Sequence, residues 1–263
     1  MSEACPVVLG ISGHDPSGGA GIQADIETIA ALHCYPCTVV SALTLQNTEN
    51  VKKVFPQPGE QIREQLRLLF NDFDIRCIKI GLLGSLETVS VLHSVLKDNT
   101  GIPVVLDPVL TAGGGFDFSN QELVRAISAE LIPLATVATP NSAEARRLSP
   151  ERFTLDECGN YLNSLGCKHI LITGADENTA QVVNALYSTG EEVRLFHWER
   201  LAGAFHGSGC TLASAIAALL ARGFEPLAAI SEAQKFTWKA LQAGFRPGKG
   251  QNIPDRLAQL RTG

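Results

Sequence analysis

Apolar and polar positions follow two patterns that alternate along this chain. Runs of consecutive apolar residues, the first at residues 7–12, are typical of strands buried on both faces of a sheet. Apolar residues at helical spacing come next, as at Ile22, Ile26 and Ile29. The alternation continues almost to the end of the chain. It predicts a mainly parallel α/β sheet covered by helices on both faces.

The same patterns place the remaining elements. The later predicted strands cover residues 38–45, 77–82, 103–106, 135–138 and 168–172. The predicted helices cover residues 22–32, 86–96, 121–131, 155–165, 211–222 and 226–243, with another helix carrying Ile62, Leu66, Leu69 and Phe70. Residues 181–187 and 193–198 flank a turn and predict an antiparallel hairpin. Without a linker or repeat, we expect one domain over residues 1–263.

Composition narrows the class of protein. With 45% hydrophobic and 18% charged residues, the chain resembles an ordinary globular protein. A net charge of −6 argues against nucleic acid or an acidic membrane as partner. No apolar run reaches the ~18 residues that cross a bilayer, and no basic segment precedes the first apolar run, so we expect no secretory signal.

Cysteine usage indicates a reducing compartment. The seven cysteines are scattered through predicted strands and helices, which favours free thiols and a cytoplasmic location. Cys34 and Cys37 have the spacing of a redox pair, but they follow a predicted helix instead of starting one. No second pair is present to complete a zinc site. We therefore expect both cysteines to be structural.

Polar residues or glycines follow five of the predicted strands. These segments are residues 12–15, 46–48, 107–108, 139–141 and 173–174. Ligands of open parallel sheets bind beyond the carboxyl ends of the strands. The sequence therefore predicts a binding site at this edge. The glycine-rich turn at residues 13–21 follows the first strand but matches neither the Walker A pattern nor GxGxxG.

Residues 206–211 open a predicted helix with two glycines, a serine and a cysteine. Free N–H groups at Gly207 and Gly209, together with the helix dipole, can bind an anion. The same field is expected to stabilise a Cys210 thiolate. A tight helix start with a small buried cysteine is the alternative.

Two carboxylates near this edge suit magnesium. Asp107 follows a strand and precedes a proline, and Glu144 follows Asn141 at the start of a predicted helix. Magnesium usually takes one or two protein carboxylates together with water and phosphate oxygens. Glu144 is alternatively a capping-box acid with Asn141 as the N-cap.

Six motifs occur in a familiar order over residues 7–240. They are residues 12–25, 42–48, 79–83, 105–109, 139–144 and 206–211. By these motifs the chain resembles the hydroxymethylpyrimidine/phosphomethylpyrimidine kinases, the thiamin-pathway branch of the ribokinase-like superfamily. The resemblance implies a three-layer α/β/α fold with a mainly parallel sheet and a small antiparallel hairpin. It also implies a homodimer that transfers phosphate from ATP, with Mg²⁺, to a hydroxymethylpyrimidine and then to its monophosphate.

The resemblance further implies roles for individual residues. The pyrimidine would contact Gly13, Asp25, Gln46 and Val109. ATP would lie along Asn141, Glu144, Thr173 and Gly174, with Asp107 and Glu144 near its Mg²⁺. Gly207 and Gly209 would hold the transferring phosphoryl group, and Cys210 stands where most sugar kinases of the superfamily carry an aspartate base.

The chain departs from the family pattern in the segment after Asp107. Residues 111–115 read Thr-Ala-Gly-Gly-Gly, where the family commonly has a basic Ala-Lys-Ser-Gly pattern. Without a basic residue, this flap is expected to bind a phosphorylated substrate less tightly. The departure therefore concerns the second reaction, the phosphorylation of the monophosphate. Leu82 for Met and Ser208 for Thr are smaller changes. A pyridoxine, pyridoxal or pyridoxamine kinase on the same fold and a non-catalytic pyrimidine-binding protein are the alternatives.

Overall fold

Nine strands form one sheet in the computed structural model of the protein, which describes residues 5–261. The strands are β1 (Val7–His14), β2 (Tyr35–Gln46), β3 (Val51–Pro56), β4 (Ile75–Ile80), β5 (Val104–Leu106), β6 (Val137–Ala138), β7 (His169–Ile172), β8 (Gln181–Ser188) and β9 (Arg194–Glu199). Their order across the sheet is β3-β2-β1-β4-β5-β6-β7-β8-β9.

The six central strands pair in parallel, in the order β2-β1-β4-β5-β6-β7. Antiparallel strands lie at both edges of the sheet. The β8–β9 hairpin confirms the one predicted from the sequence. At the other edge, β3 pairs antiparallel with β2 and was not predicted. Its pattern is weak because Lys52, Lys53 and Phe55 are all exposed, so the strand buries little beyond Val51.

Eight α-helices cover the two faces of the sheet in the described part of the chain. They are α1 (Gly21–Ala31), α2 (Gly59–Asp72), α3 (Leu86–Asp98), α4 (Gln121–Ala126), α5 (Ser142–Leu148), α6 (Leu155–Ser164), α7 (Ser208–Ala221) and α8 (Pro226–Gln242). The predicted helix at residues 121–131 is α4 followed by a π-helical segment, Ile127–Leu131.

Neighbouring residues of a central strand belong to different layers of the core. Leu9 and Ile11 of β1 pack in the layer that contains Ile62 of α2. Val8 packs in the opposite layer, with Ile216 of α7. Because successive side chains of a strand point to opposite faces, a strand covered on both faces needs apolar residues throughout. This explains the continuous apolar runs and gives the three layers.

Cys34 and Cys37 lie in this framework as buried free thiols. Burial raises the pKa of each thiol to about 11. Cys34 Sγ donates to the Ala218 carbonyl oxygen at 3.4 Å, which ties the start of β2 to α7. Both positions fit the structural role predicted for them. Among residues 5–261, none of the helices combines the length and the apolar character needed to cross a bilayer.

Candidate active site

A cavity of about 430 Å³ opens at the carboxyl edge of the parallel strands. We call it the Cys210 cavity. It is lined by residues in or just after the carboxyl ends of β1, β2, β5, β6 and β7, and by the first turn of α7, as predicted from the strand ends. The predicted site residues that line it are Gly13, Gln46, Asp107, Val109, Asn141, Glu144, Thr173, Gly207, Gly209 and Cys210.

A second cavity, of about 410 Å³, adjoins the first, and we call it the tryptophan cavity. Trp198 and Trp238 form part of its wall, with ring centroids 6.3 Å apart. Thr173 and Gly209 line both cavities. The start of α7 therefore lies between two spaces, each large enough for a small organic ligand.

The start of α7 requires glycine at position 207. Gly207 is the N-cap residue and has a φ of 84°, in the left-handed region. A Cβ at this position would overlap the carbonyl oxygen of Gly19. At the next glycine, Gly209, a Cβ would lie 3.7 Å from Asp107 Oδ1. First-turn N–H groups have no partner within the helix, so this helix start can bind an anion.

Cys210 occupies the first turn of α7, in surroundings that favour the neutral thiol. Burial raises the pKa of its thiol to about 12. The nearby positive charge of Lys79 lowers this pKa, but the carboxylates of Asp107 and Asp25 raise it. Burial therefore opposes the thiolate expected from the helix dipole, and the catalytic role of Cys210 stays a prediction.

Asp107 presents an unpartnered oxygen beside this helix. Burial raises the pKa of Asp107 to about 6, with Lys79 acting against the increase and Asp25 adding to it. Within residues 5–261, Asp107 Oδ2 and Thr139 Oγ1 are buried atoms without a hydrogen-bond partner. Both residues line the Cys210 cavity. Oxygen atoms left free in this way suit a hard cation.

Glu144 takes part in the capping box that was considered as its alternative role. Its Oε2 accepts from the backbone N–H of Asn141 at 2.9 Å, and Asn141 Oδ1 accepts from the N–H of Glu144 at 2.8 Å. Glu144 Oε1 accepts from the N–H of Leu110 at 3.1 Å. Burial, and then the charge of Asp107, raises the pKa of Glu144 to about 8. The residue thus holds the start of α5 while lining the cavity.

Asp25 does not line the cavity, contrary to its expected contact with the pyrimidine. Its side chain is completely buried, with Oδ1 2.7 Å from Lys79 Nζ. Ser214 Oγ of α7 donates to the same oxygen at 2.6 Å. The reason is helical geometry, because Asp25 shares the buried face of α1 with Ile22 and Ile29. In the sequence, Asp25 lies at helical spacing from the apolar residues Ile22 and Ile29, and Lys79 lies within the apolar run of β4. Two opposite charges placed among apolar residues in this way could have indicated a buried ion pair.

Gly174 likewise lies outside the lining of both cavities. Its N–H donates to Asn184 Oδ1 at 3.1 Å, and a Cβ there would overlap the carbonyl oxygen of Val183. The expected contact with a nucleotide is therefore not made by this residue as placed. Gly174 instead lets the end of β7 pack against β8, beside Thr173, which does line both cavities.

Asp15 and His206 are lining residues to which sequence reasoning gave no role. His206 Nε2 lies 2.7 Å from Asp15 Oδ2 and 2.9 Å from Gln46 Nε2. Asp15 also accepts from the N–H groups of Ser17 and Ala20, which shapes the glycine-rich turn. Both residues belonged to the recognised motifs, but their contact joins positions 191 residues apart.

Arg256 supports the site from behind and was also missed. Its side chain is fully buried, Nε donates to Thr211 Oγ1 at 2.9 Å, and Nη1 donates to Glu27 at 3.0 Å. Nη2 donates to the carbonyl oxygen of Gly19. One guanidinium group thus joins the glycine-rich turn, α1 and the first turn of α7.

The uncharged flap lies over the Cys210 cavity, with Gly113 and Gly115 in the lining. The segment is anchored at two points. Thr111 forms a backbone bridge with Asp117, and the carbonyl oxygen of Gly113 accepts from Gln251 Nε2 at 3.0 Å. The flap therefore contributes backbone groups, where a lysine would contribute charge.

Comparison with solved structures defines the class. The chain is similar to Bacillus subtilis pyridoxal kinase, solved as an ADP complex, with a TM-score of 0.89 and 31% identity over 99% of this chain and 100% of that one. It is also similar to phosphomethylpyrimidine kinase from Clostridium difficile, with a TM-score of 0.78 and 31% identity over 89% and 99% of the two chains. The fold is that of a ribokinase-like kinase.

Sequence comparison narrows the class to a family. Residues 15–255 match the family model described as phosphomethylpyrimidine kinase. The hydroxymethylpyrimidine/phosphomethylpyrimidine kinase of Aquifex aeolicus is 35% identical over 254 residues, which cover 95% of this chain and 99% of that protein. The chain belongs to the phosphomethylpyrimidine kinase family, as its motifs indicated.

Proposed function

We propose that this protein uses ATP to phosphorylate 4-amino-5-hydroxymethyl-2-methylpyrimidine and then its monophosphate, to give the diphosphate for thiamin biosynthesis. One observation carries the proposal: the start of α7 lies between two cavities. The Cys210 cavity contains the Gln46 amide, which suits a heterocycle with donor and acceptor groups. The tryptophan cavity has aromatic walls that suit an adenine ring.

The nucleotide would run from the tryptophan cavity past Thr173 towards Asn141 and Gly209. ADP and AMP-PCP complexes of similar kinases support the use of ATP. In residues 5–261 no group of three or more His, Cys, Asp or Glu side chains is arranged around a common metal position. Magnesium in kinases needs only one or two carboxylates besides phosphate oxygens and water, and Asp107 Oδ2 and Thr139 Oγ1 are free to serve it.

Bound Mg²⁺ would neutralise charge on the phosphate oxygens. The N–H groups of Gly207, Gly209 and Cys210 would hold the transferring phosphoryl group, because the helix dipole and these donors converge there. Phosphoryl transfer relies mainly on alignment and charge neutralisation. Cys210 would therefore act as a neutral thiol that positions the acceptor hydroxyl. The buried ammonium group of Lys79 would add a positive charge beneath the start of α7, where the carboxylates of Asp25 and Asp107 face it.

Three further features belong to this proposal. The sheet runs without interruption from β3 at one edge to β9 at the other, which supports one domain over residues 1–263. Exposed Leu43, Leu45 and Phe55 lie together on β2 and β3 and supply an apolar surface for a homodimer. The free cysteines among residues 5–261 support a reducing, cytoplasmic environment.

ATP consumption with purified protein tests the reaction. We expect turnover with the hydroxymethylpyrimidine and slower turnover with pyridoxal. Gln46→Ala should weaken pyrimidine binding by about 1–3 kcal/mol, because a buried partner loses its hydrogen bonds. The affinity for ATP should change little. Gln61→Ala, on the exposed face of α2, is the matched control. Equal losses of affinity for the pyrimidine and for ATP would mean that Gln46 does not face the pyrimidine.

A pyridoxal kinase is the second candidate, and one observation favours it. The chain is similar, with a TM-score of 0.88 and 28% identity, to the Staphylococcus aureus pyridoxal kinase solved with pyridoxal. Pyridoxal is also a small aromatic heterocycle with a hydroxymethyl group. A higher kcat/KM for pyridoxal than for the pyrimidine in the same assay would establish this second activity as the main one.

A further inference from the structure

A single ring nitrogen of His206 serves two neighbours in the Cys210 cavity. His206 Nε2 lies 2.7 Å from Asp15 Oδ2 and 2.9 Å from the amide of Gln46. Burial raises the pKa of Asp15, but hydrogen bonds from His206 and Ser17 outweigh it, so the pKa lies below its ordinary value. An ionised carboxylate only accepts hydrogen bonds. His206 Nε2 therefore carries a proton and donates it.

This proton determines which end of the Gln46 amide faces His206. With the amide nitrogen there, two donors would oppose each other. At the other end of the amide, Thr44 Oγ1 lies 3.1 Å from Gln46 Oε1 and 2.9 Å from the carbonyl oxygen of His14. Both of these atoms are acceptors, and a hydroxyl group has one proton. In the same orientation, each end of the amide therefore has a conflict.

A half-turn of the amide removes the donor–donor contact at His206 and leaves the Thr44 proton with a single acceptor. Gln46 Oε1 then shares the His206 Nε2 proton with Asp15 Oδ2, Gln46 Nε2 donates to Thr44 Oγ1, and the Thr44 hydroxyl donates to the His14 carbonyl oxygen. The two ends of an amide have nearly the same shape, so hydrogen bonding alone selects between them. We propose that Asp15 and His206 are positioning residues that fix Gln46 with its oxygen towards His206 and its nitrogen towards Thr44.

The fixed amide sets the substrate chemistry, and this step rests on the proposed function. One lone pair of Oε1 and one N–H of Nε2 remain uncommitted. They match a ring nitrogen that accepts, next to an exocyclic amine that donates. An analogue with an oxo group in place of the amine has the reverse order, because its ring nitrogen carries a proton. The analogue cannot turn over to restore the match, because its hydroxymethyl group, which receives the phosphoryl group, must still face Gly209. The Asp15–His206 pair therefore selects the amine form.

The orientation can be measured without any substrate. Isotope-edited NOE spectroscopy of the free protein should show the Gln46 amide protons close to the Thr44 methyl group. The nitrogen shifts of the His206 ring should show a protonated Nε2. Amide protons close to the His206 ring, or an unprotonated Nε2, would overturn the proposal. This result is independent of which substrate the enzyme turns over.

Selectivity provides the second measurement. We expect the ratio of kcat/KM for the amine over the oxo analogue to fall by about tenfold or more in His206→Phe, because the released amide can turn to suit either compound. His169→Phe is the control, since His169 Nδ1 pairs with Ser188 Oγ at 2.9 Å outside the cavity. An unchanged ratio in folded His206→Phe would contradict the proposal. If His206→Phe does not fold, Thr44→Val takes its place, because it releases the other end of the Gln46 amide.

Failure of the proposed function has a different result. Wild-type protein that phosphorylates neither pyrimidine compound would refute the function, while the NOE pattern would still decide the orientation of Gln46. Wild-type protein that uses the amine and the oxo analogue equally well would leave the kinase activity in place and overturn the selective role of Asp15 and His206.

Discussion

Lys79 Nζ lies 2.7 Å from Asp25 Oδ1, and both side chains are completely buried between β4 and α1. This pair lies beneath the start of α7, where Asp25 also accepts from Ser214. Neither residue lines the Cys210 cavity, but both influence the pKa values of Asp107 and Cys210. The pair therefore supplies the electrostatic environment of the site without touching its contents.

Lys79→Met should strongly destabilise the protein. The substitution leaves Asp25 as an unpaired buried carboxylate, which typically costs about 3–5 kcal/mol. The double variant Lys79→Met/Asp25→Leu should be more stable than Lys79→Met alone, because no buried charge remains. Urea denaturation gives both free energies of unfolding. Arg67→Met, which removes the exposed pair with Glu64, should change stability little. A double variant as unstable as the sum of the singles would show that packing matters more than charge.

Cys210 should resist alkylation. With a pKa of about 12, only about one thiol in ten thousand is ionised at pH 8. The exposed Cys5 should therefore react with iodoacetamide well before Cys210 does. Peptide mass spectrometry over a time course measures both rates. Labelling of Cys210 as fast as that of Cys5 would restore the activated thiolate predicted from the sequence.

Cys210→Ala separates a base from a positioning group. A thiolate base would make transfer to the alcohol fall by ~10²–10⁴, with little effect on the monophosphate, whose oxygen is already ionised. Because burial raises the pKa of the Cys210 thiol, we expect both steps to fall by similar factors. The two rates are measured separately with the purified variant. A loss confined to the alcohol step would identify Cys210 as the base after all.

Gly207→Ala should abolish most of the activity. The added methyl group meets the Gly19 carbonyl oxygen and displaces the first turn of α7, where the phosphoryl group would bind. Gly223→Ala is a matched control, because Gly223 has a similar φ of 86° but no atom within 4 Å of its Cβ. Both variants should lose stability from the backbone strain, by about 1 kcal/mol. Only Gly207→Ala should also lose kcat. Equal kcat in the two variants would contradict this placement.

Cys34→Ser and Cys37→Ser should keep nearly full turnover under reducing conditions. Both thiols are buried and lie away from the linings of both cavities. Some stability should be lost, because a hydroxyl group is costlier to bury than a thiol. Turnover and thermal unfolding are measured side by side. Lost turnover in a folded variant would point to a redox or metal role.

The sequence predicted the central strands because burial on both faces requires unbroken apolar runs. It did not predict β3, since an exposed edge strand with Lys52 and Lys53 carries no such pattern. Motif positions predicted most of the cavity lining. They did not distinguish Asp25, which supports the site from the core, from Gln46, which faces the cavity. The contact of Asp15 with His206 depends on how β1 and α7 come together, which local patterns do not encode.

Arg256 affects the point during chain synthesis at which the site of this enzyme can form. Its guanidinium group holds Gly19 and Thr211 together, so Gly19 gains this link only after Arg256, 237 residues later in the chain, has been made. A ribosome-bound chain can pair its central strands well before Arg256 has left the exit tunnel. The glycine-rich turn and the first turn of α7 have no such link until then. Catalytic competence should therefore appear only after Arg256 has been made, later than the pairing of the central strands.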